Sequence, residues 1–360
     1  MTTTTADSTG QRGLAATTEA RAIVAASRNH GRSRAIAITT ALAVATFAVV
    51  CISVSIGDFP IALRDVVPSI FGFGASDTTF IVQEIRLPRI VCGLLVGFAF
   101  GMSGTVFQSL VRNELASPDV IGITAGASTA AVVAIVLFGS SSISLSFAAL
   151  LGGLGTAGAI YLFAYKRGVS GYRLILVGIG IAAGLSSVTS YLITRAEITD
   201  VQRATIWLTG SLNGRTWDQV ATLAVVIAVL LPTLLLLARG LRALQLGDDA
   251  AKGIGVRVEG VRAAIIIAAV GLAAFGTAVA GPVAFVAFVS GPIARRLVAS
   301  GDIALLPSAL VGAVLLLSAD LVARAGLGSI ELPVGVLTGI LGAPYLLWLL
   351  ARTNRMGTGD

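Results

Sequence analysis

Charge is scarce in this 360-residue chain: Asp, Glu, Lys and Arg make up 12% of it, against 56% hydrophobic residues and a mean hydropathy of +0.92. So little charge cannot cover a water-exposed surface of this size, which excludes a soluble globular protein. A single histidine, His30, and two cysteines, Cys51 and Cys92, supply no ligand set for a metal centre. Both cysteines lie in or beside apolar runs, where they read as small buried side chains. Lysine occurs only as Lys166, in Tyr-Lys-Arg, and Lys252, in Ala-Lys-Gly, so neither completes the Gly-Lys-Ser/Thr end of a phosphate-binding loop. If ATP drives this protein, another chain hydrolyses it. No catalytic constellation is visible, and no cofactor is expected in this chain.

What is present is apolar sequence in lengths that suit a bilayer, whose core needs about 20 residues of helix. Ten candidate spans follow: Ala35–Ile56, Ile90–Val111, Val120–Phe138, Ile143–Tyr165, Leu174–Ile193, Val220–Ala238, Ala263–Ala280, Pro282–Val298, Leu305–Ala323 and Leu332–Ala351. The fold class is therefore an all-α polytopic membrane protein, and 42 glycines suit close helix packing in lipid. With both termini in the cytoplasm, the inside segments hold 18 of the 25 Lys and Arg and the outside segments seven, while acids split nine and nine. That asymmetry is the positive-inside pattern of a plasma-membrane protein, and it argues against a nucleic-acid surface, which would gather on one soluble face. Residues 1–30, rich in Thr, Ala and Ser, read as a disordered cytoplasmic tail, and 31–355 as one transmembrane domain.

The most charged loop, residues 239–262, lies on the inside by this count. Asp248 and Asp249 are suited to start a short helix, and Gly253 and Gly255 to end it, with a second turn over Arg257–Arg262. On the outside, Val201–Leu212 is too short to span and carries Trp207, with Trp217 beyond it; a short interfacial helix is expected. A translocation pathway needs polar, uncharged lining. Candidates are Ser103, Thr105 and Gln108 in the second span, Thr124, Ser128 and Thr129 in the third, and Ser186, Ser187, Thr189 and Ser190 in the fifth; for any one of them helix packing is the better reading, while as a group they suit the lining of a central cavity. An ion-coupled secondary transporter is the rival class. It usually buries titratable groups at mid-bilayer, where these ten spans have almost none.

Several phrases in order resemble the FecCD-type family of permeases from ATP-binding cassette importers for ferric siderophores, haem and cobalamin. They are Ile85-Arg86-Leu87-Pro88-Arg89 with Gly93, Gly97, Gly101 and Gly104; Gln108 through Asn113-Glu114-Leu115-Ala116-Ser117-Pro118-Asp119; and Leu246-Gly247-Asp248-Asp249-Ala250-Ala251 with Gly253 and Gly255. Ala280-Gly281-Pro282, Ala319-Asp320 with Arg324, Glu331-Leu332-Pro333-Val334-Gly335 and Gly342-Ala343-Pro344 complete the set. Two departures stand out: Glu114 where the family often has proline, and Gly291-Pro292 where it often has Pro-His, a change similar to that of permeases working as unequal pairs.

The resemblance implies the type II importer permease fold and a second permease subunit, as homodimer or heterodimer. It also implies two ATPase subunits holding ATP and magnesium inside, and a binding protein outside that delivers a ferric siderophore, with haem or cobalamin as alternatives. By position it assigns Leu246–Ala251, Gly253 and Gly255 to ATPase coupling, Ser170, Gly171 and Tyr172 to a cytoplasmic gate, and Arg86, Arg89 and Arg324 to docking of the binding protein. In-chain pairing with Glu84, Asp320 or Glu331 is the alternative for those arginines.

Overall fold

A computed structural model describes residues 6–57, 59, 61, 63–139, 142–166, 171–299, 303–325 and 332–357. The chain is helical along its length. In order come α1 (Ala6–Ser55), α2 (Leu63–Ile70), α3 (Ser76–Phe80), a π-helical turn (Ile81–Arg86), α4 (Leu87–Val111), α5 (Pro118–Ile121), α6 (Ile123–Phe138), α7 (Ser142–Ala164) and α8 (Gly171–Arg195). Then follow α9 (Ile198–Leu208), α10 (Trp217–Gln245), α11 (Asp248–Gly253), α12 (Val258–Ala280), α13 (Val286–Val298), α14 (Leu305–Ala325) and α15 (Val334–Gly357). Among the described residues seven helices are long and apolar enough to cross a membrane, with α6 and α15 as shorter apolar helices. With α13 these account for the ten expected spans.

Three spans differ from expectation in extent. Helix α1 begins at Ala6, so helix occupies most of the segment expected as a disordered tail. Adding residues to a helix already nucleated by the apolar run at Gly31–Ser55 avoids the cost of a new nucleus. The loop expected over residues 57–89 is instead largely α2, α3 and the π turn, continuous with α4. The eighth span is only a half-helix: after α12 the chain runs non-helically through Pro282–Ala284, with Gly281 at φ +73° and Phe285 at φ +66°, before α13 starts. Pro282 cannot donate to a helix, and Gly281 accepts the left-handed turn.

Helix α4 is the axis of the bundle, packed by α10, α12, α13 and α14. Its glycines explain why. A Cβ on Gly97 would strike the backbone of Gly312 and Ala313 in α14, one on Gly101 the Ser308 carbonyl, and one on Gly104 the Ala287 carbonyl of α13. The seven-residue spacing from Gly97 to Gly104 keeps all three close to one stripe of the helix, so backbones approach where side chains would hold them apart. The large side chains Phe100 and Phe107 are buried in the same core, each at most 1% exposed, and Phe100 lies against Gly276 of α12.

Gly104→Val is expected to lower the unfolding midpoint of the purified chain by roughly 5–10 °C, as overpacking pushes α13 away. Gly180→Ala in α8, where a Cβ meets nothing within 4 Å, should leave it unchanged. Equal midpoints for both variants in a thermal-shift assay would refute the close approach.

Candidate functional site

The arginines expected on the outer surface are inside the protein. Arg86 and Arg89 are 6% and 8% exposed. Arg89 donates from Nε and Nη2 to Asp320 Oδ1 at 3.1 and 2.9 Å, while Arg324, one turn along α14, donates from Nε to Asp320 Oδ2 at 3.1 Å. Arg86 donates to the carbonyls of Val54 and Phe59, and Arg324 Nη1 to that of Ile56 at 3.1 Å. The π turn and the one-turn spacing of Asp320 and Arg324 set these side chains facing the end of α1, whose last carbonyls lack intrahelical partners. In-chain partners thus occupy Arg86, Arg89 and Arg324, the residues expected to dock a binding protein. In-chain pairing with Asp320 is the alternative that holds for Arg89 and Arg324; Glu331 lies outside the described residues.

The pathway candidates divide. Ser103 and Gln108 are buried, at 0% and 2% exposure, and bonded within the chain. Ser103 Oγ donates to Ala269 O at 2.7 Å, and Gln108 Nε2 to Phe288 O at 2.8 Å and Glu114 O at 2.9 Å. Thr105 Oγ1 turns back on Gly101 O at 2.9 Å. Ser103 and Gln108 tie α4 to its neighbours, while Thr105 bonds within α4. Ser186, Ser187 and Ser190 are exposed, on a face of α8 that also shows Gly180, Ala183 and Gly184. Thr189 meets Thr129 at 2.9 Å between α8 and α6.

Gln108 anchors a polar knot that unites both departures from the family phrases. Its Oε1 accepts from Arg295 Nη2 at 3.2 Å, and Arg295 reaches Glu114 at 3.5 Å. A side chain at Gly291 would strike Gln108 and Thr105, so the glycine admits the amide. Glu114 and Gly291 are therefore parts of one contact between α4 and α13.

A cavity of about 540 Å³ opens beside this knot, between α5, α6, α9, the Pro282–Phe285 stretch and α15. Ser117, Asp119, Thr124, Ser128 and Thr209 are its polar lining, among Val283, Phe285 and Phe288. Asp119 was unexpected here. It sits on α5, in the connection between two spans, and accepts from Thr124 Oγ1. Burial raises its carboxyl pKa to about 6, with the Thr124 bond opposing the shift. Its signal in the sequence was the Ser-Pro-Asp turn, in which Ser117 caps the helix through Val120 N–H at 3.3 Å.

At one end of the bundle α11 stands between α10 and α12. Its cap is Gly247, at φ +105°, rather than an aspartate, and Gly255, at φ +83°, makes the turn out. Asp248 is drawn away from the cap to Arg262 at 2.5 Å, and Arg262 also meets Glu259 at 3.4 Å. The turn expected over Arg257–Arg262 is mostly the start of α12. Ala251 is buried, while Asp249, Ala250, Lys252 and Gly253 are exposed, flanked by Leu246 at 70% and Ile254 at 65% exposure. Tyr172, at the start of α8, is 75% exposed, and Gly171 packs on Val111 of α4. Ser170, the other gate candidate, lies outside the described residues.

A polytopic helical bundle with a central glycine-packed helix, a side cavity and a stand-off helix at one end is a multi-pass membrane protein. The chain belongs to the FecCD transport family, whose model matches residues 45–352. It is 40% identical over 299 residues to the ferric enterobactin transport system permease FepG of Escherichia coli K12, covering 83% of this chain and 91% of that one. It is 39% identical to the iron(3+)-hydroxamate import system permease FhuG of Bacillus subtilis 168, covering 88% and 96%. A solved chain described as a metal-chelate type ABC transporter in an inward-facing conformation superposes with a TM-score of 0.78 at 29% identity, covering 88% of this chain and 99% of that one.

Asp320→Asn leaves two buried guanidiniums without their shared counter-charge and is expected to cost about 3–5 kcal/mol. Arg324→Gln should cost less, since the Arg89 pair survives it. A denaturation series in detergent that ranks them the other way would overturn the arrangement. For Asp119, a raised pKa means that the folded chain holds the proton more tightly than the unfolded chain. Stability therefore falls as pH rises from the ordinary carboxyl range to about 6, and stays lower above it. Asp119→Asn should be the more stable protein at pH 7.5 and lose that advantage by pH 4, which unfolding midpoints across the range will check.

Proposed function

We propose that this chain is the membrane-spanning permease subunit of an ATP-driven importer of ferric siderophores, in the plasma membrane with both termini and α11 on the cytoplasmic side. The observation that carries the reading is α11. A six-residue helix, braced by the Asp248–Arg262 pair and presenting Leu246 and Ile254 on either side of Asp249 and Lys252, is shaped to seat in a groove of another protein. Partner ATPase subunits, which would hold ATP and magnesium, push there, and the chain itself performs no covalent chemistry. The relatives named for ferric enterobactin and iron(3+)-hydroxamate favour a ferric siderophore over haem or cobalamin.

A second permease subunit, identical or different, packs on α8. Its small-residue face, with Ser186, Ser187 and Ser190, would line the pathway between subunits, and Gly171 and Tyr172 would close it on the cytoplasmic side. An external binding protein delivers the cargo. Closure of the ATPases shifts the pathway between outward and inward access, an equilibrium that each partner biases by its differential affinity. One feature favours a proton-coupled carrier instead: Asp119, on the 540 Å³ cavity, is a carboxyl whose pKa burial raises to about 6.

Asp249→Lys with Ile254→Glu is expected to leave the chain folded in the membrane while cutting ATP-dependent uptake of a ferric siderophore at least tenfold in the reconstituted transporter. Asp248 is the wrong choice for this test, because its loss also frees Arg262. Normal uptake by the double variant would sink the coupling role, and uptake by this chain alone in proteoliposomes under a proton gradient would replace it with the carrier.

A further inference from the structure

The end of the bundle opposite α11 carries a second cavity, of about 520 Å³, that none of the roles above uses. Ile135 at the end of α6 and Leu145 in α7 form one wall, Arg203 and Trp207 of α9 another, and Ser211 and Arg215 on the link to α10 a third. The link is firmly held. Ser211 N–H donates to Ala280 O at 2.8 Å, and Leu212, 1% exposed, packs against Gly93 of α4. Arg215 is thus fixed at the cavity rather than free to swing into solvent.

Arg215 Nε is buried and has no hydrogen-bond partner. Among the described residues neither Arg203 nor Arg215 pairs with a carboxylate, and the cavity lining includes none. A buried N–H without an acceptor is expensive, and Arg203, exposed at the same recess, adds a second positive charge to its lining. Burial also pushes the Arg215 guanidinium below its ordinary value, as expected of a cation without its counter-charge. What the recess lacks is an anion. The fork of a guanidinium matches a carboxylate, and the volume suits a small molecule better than one inserted side chain. Trp207, Ile135 and Leu145 offer an apolar wall for its carbon skeleton.

We propose that Arg203 and Arg215 form a carboxylate-binding site on the outer face, taking a carboxylate-bearing chelate of the citrate class against Trp207. The assignment rests on the importer reading for its orientation, and it narrows the cargo to chelates with negative charge. A neutral ferric trihydroxamate has no carboxylate for the two guanidiniums to grip.

The test is calorimetry on the full chain in nanodiscs, titrated with iron-free citrate, ferric dicitrate, a neutral ferric trihydroxamate and sulfate. Citrate and ferric dicitrate should bind saturably and more weakly as salt rises. Arg203→Gln with Arg215→Gln should weaken both at least tenfold, while Arg215→Lys, keeping charge without the fork, should fall between. Unfolding midpoints of the variants separate lost binding from lost fold, and Arg203→Gln alone, on the more exposed residue, supplies the reading if the double variant does not fold. No saturable binding of citrate, undiminished binding in the variants, equal binding of the trihydroxamate, or displacement by equimolar sulfate would each overturn the carboxylate site. The importer reading fails separately. If the complex with its ATPases imports the trihydroxamate but the chain binds no citrate, the importer stands and the site falls. If citrate binds but the complex imports no ferric chelate, the site stands and the importer falls.

Discussion

One carboxylate, that of Asp320, holds three parts of this protein in register. It is 1% exposed and takes Arg89 from the start of α4 on one oxygen and Arg324 from its own helix on the other. Arg324 and Arg86 then reach the final carbonyls of α1. A buried ion pair is not by itself a gain over an apolar core, because desolvation offsets most of the attraction. Its effect is positional. Once Asp320 is buried, both arginines must stay with it, and the end of α1 is where their remaining donors find acceptors. The negative end of the α1 dipole adds attraction for the same cations.

Glycine does for the middle of the bundle what that cluster does for its end. Lipid tails are as apolar as leucine, so helices in a bilayer gain little from burying apolar surface and must gain from close contact. Gly97 and Gly101 let α4 meet α14, and Gly104 lets it meet α13, over about two turns. The same closeness leaves room for buried polar groups to find carbonyls across helices, as Ser103 does at Ala269 and Gln108 at Phe288. Packing and hydrogen bonding thus support each other at α4.

The sequence phrases carried more about identity than about geometry. Apolar runs located the spans, because hydropathy and bilayer thickness are matched quantities. In-chain pairing with Asp320 stood as the alternative for the arginines, and Asp248 through Gly255 read as a short helix. What could not be read was which side of a helix a polar residue faces. Arg86 and Arg89 looked external because charge usually lies in loops, yet a π turn continues the helix through them and rotates both inward. Ser103 and Ser187 are the same residue type in similar apolar context; only the close approach of α12 to α4 decides that the first is buried. Asp119 lay in a quoted phrase, but its cavity is built by residues more than 150 positions away, at Pro282–Phe285.

The break after α12 connects the two ends of the molecule. Helix α12 begins beside α11 at Val258 and ends at Ala280, a length of about 34 Å at about 1.5 Å per residue. At its far end Gly281 lines the Arg203–Arg215 cavity, and Pro282 through Phe285 line the Asp119 cavity. The helix is rigid along its axis, whereas the left-handed residues Gly281 and Phe285 bracket a segment with no helical hydrogen bonds of its own. Under the importer reading, a push on α11 would pass through the Asp248–Arg262 pair into α12 and would be taken up at that segment. The two cavities abut on either side of this segment, Gly281 lining one and Pro282 through Phe285 the other, so the same push would reach both without any group crossing the bundle.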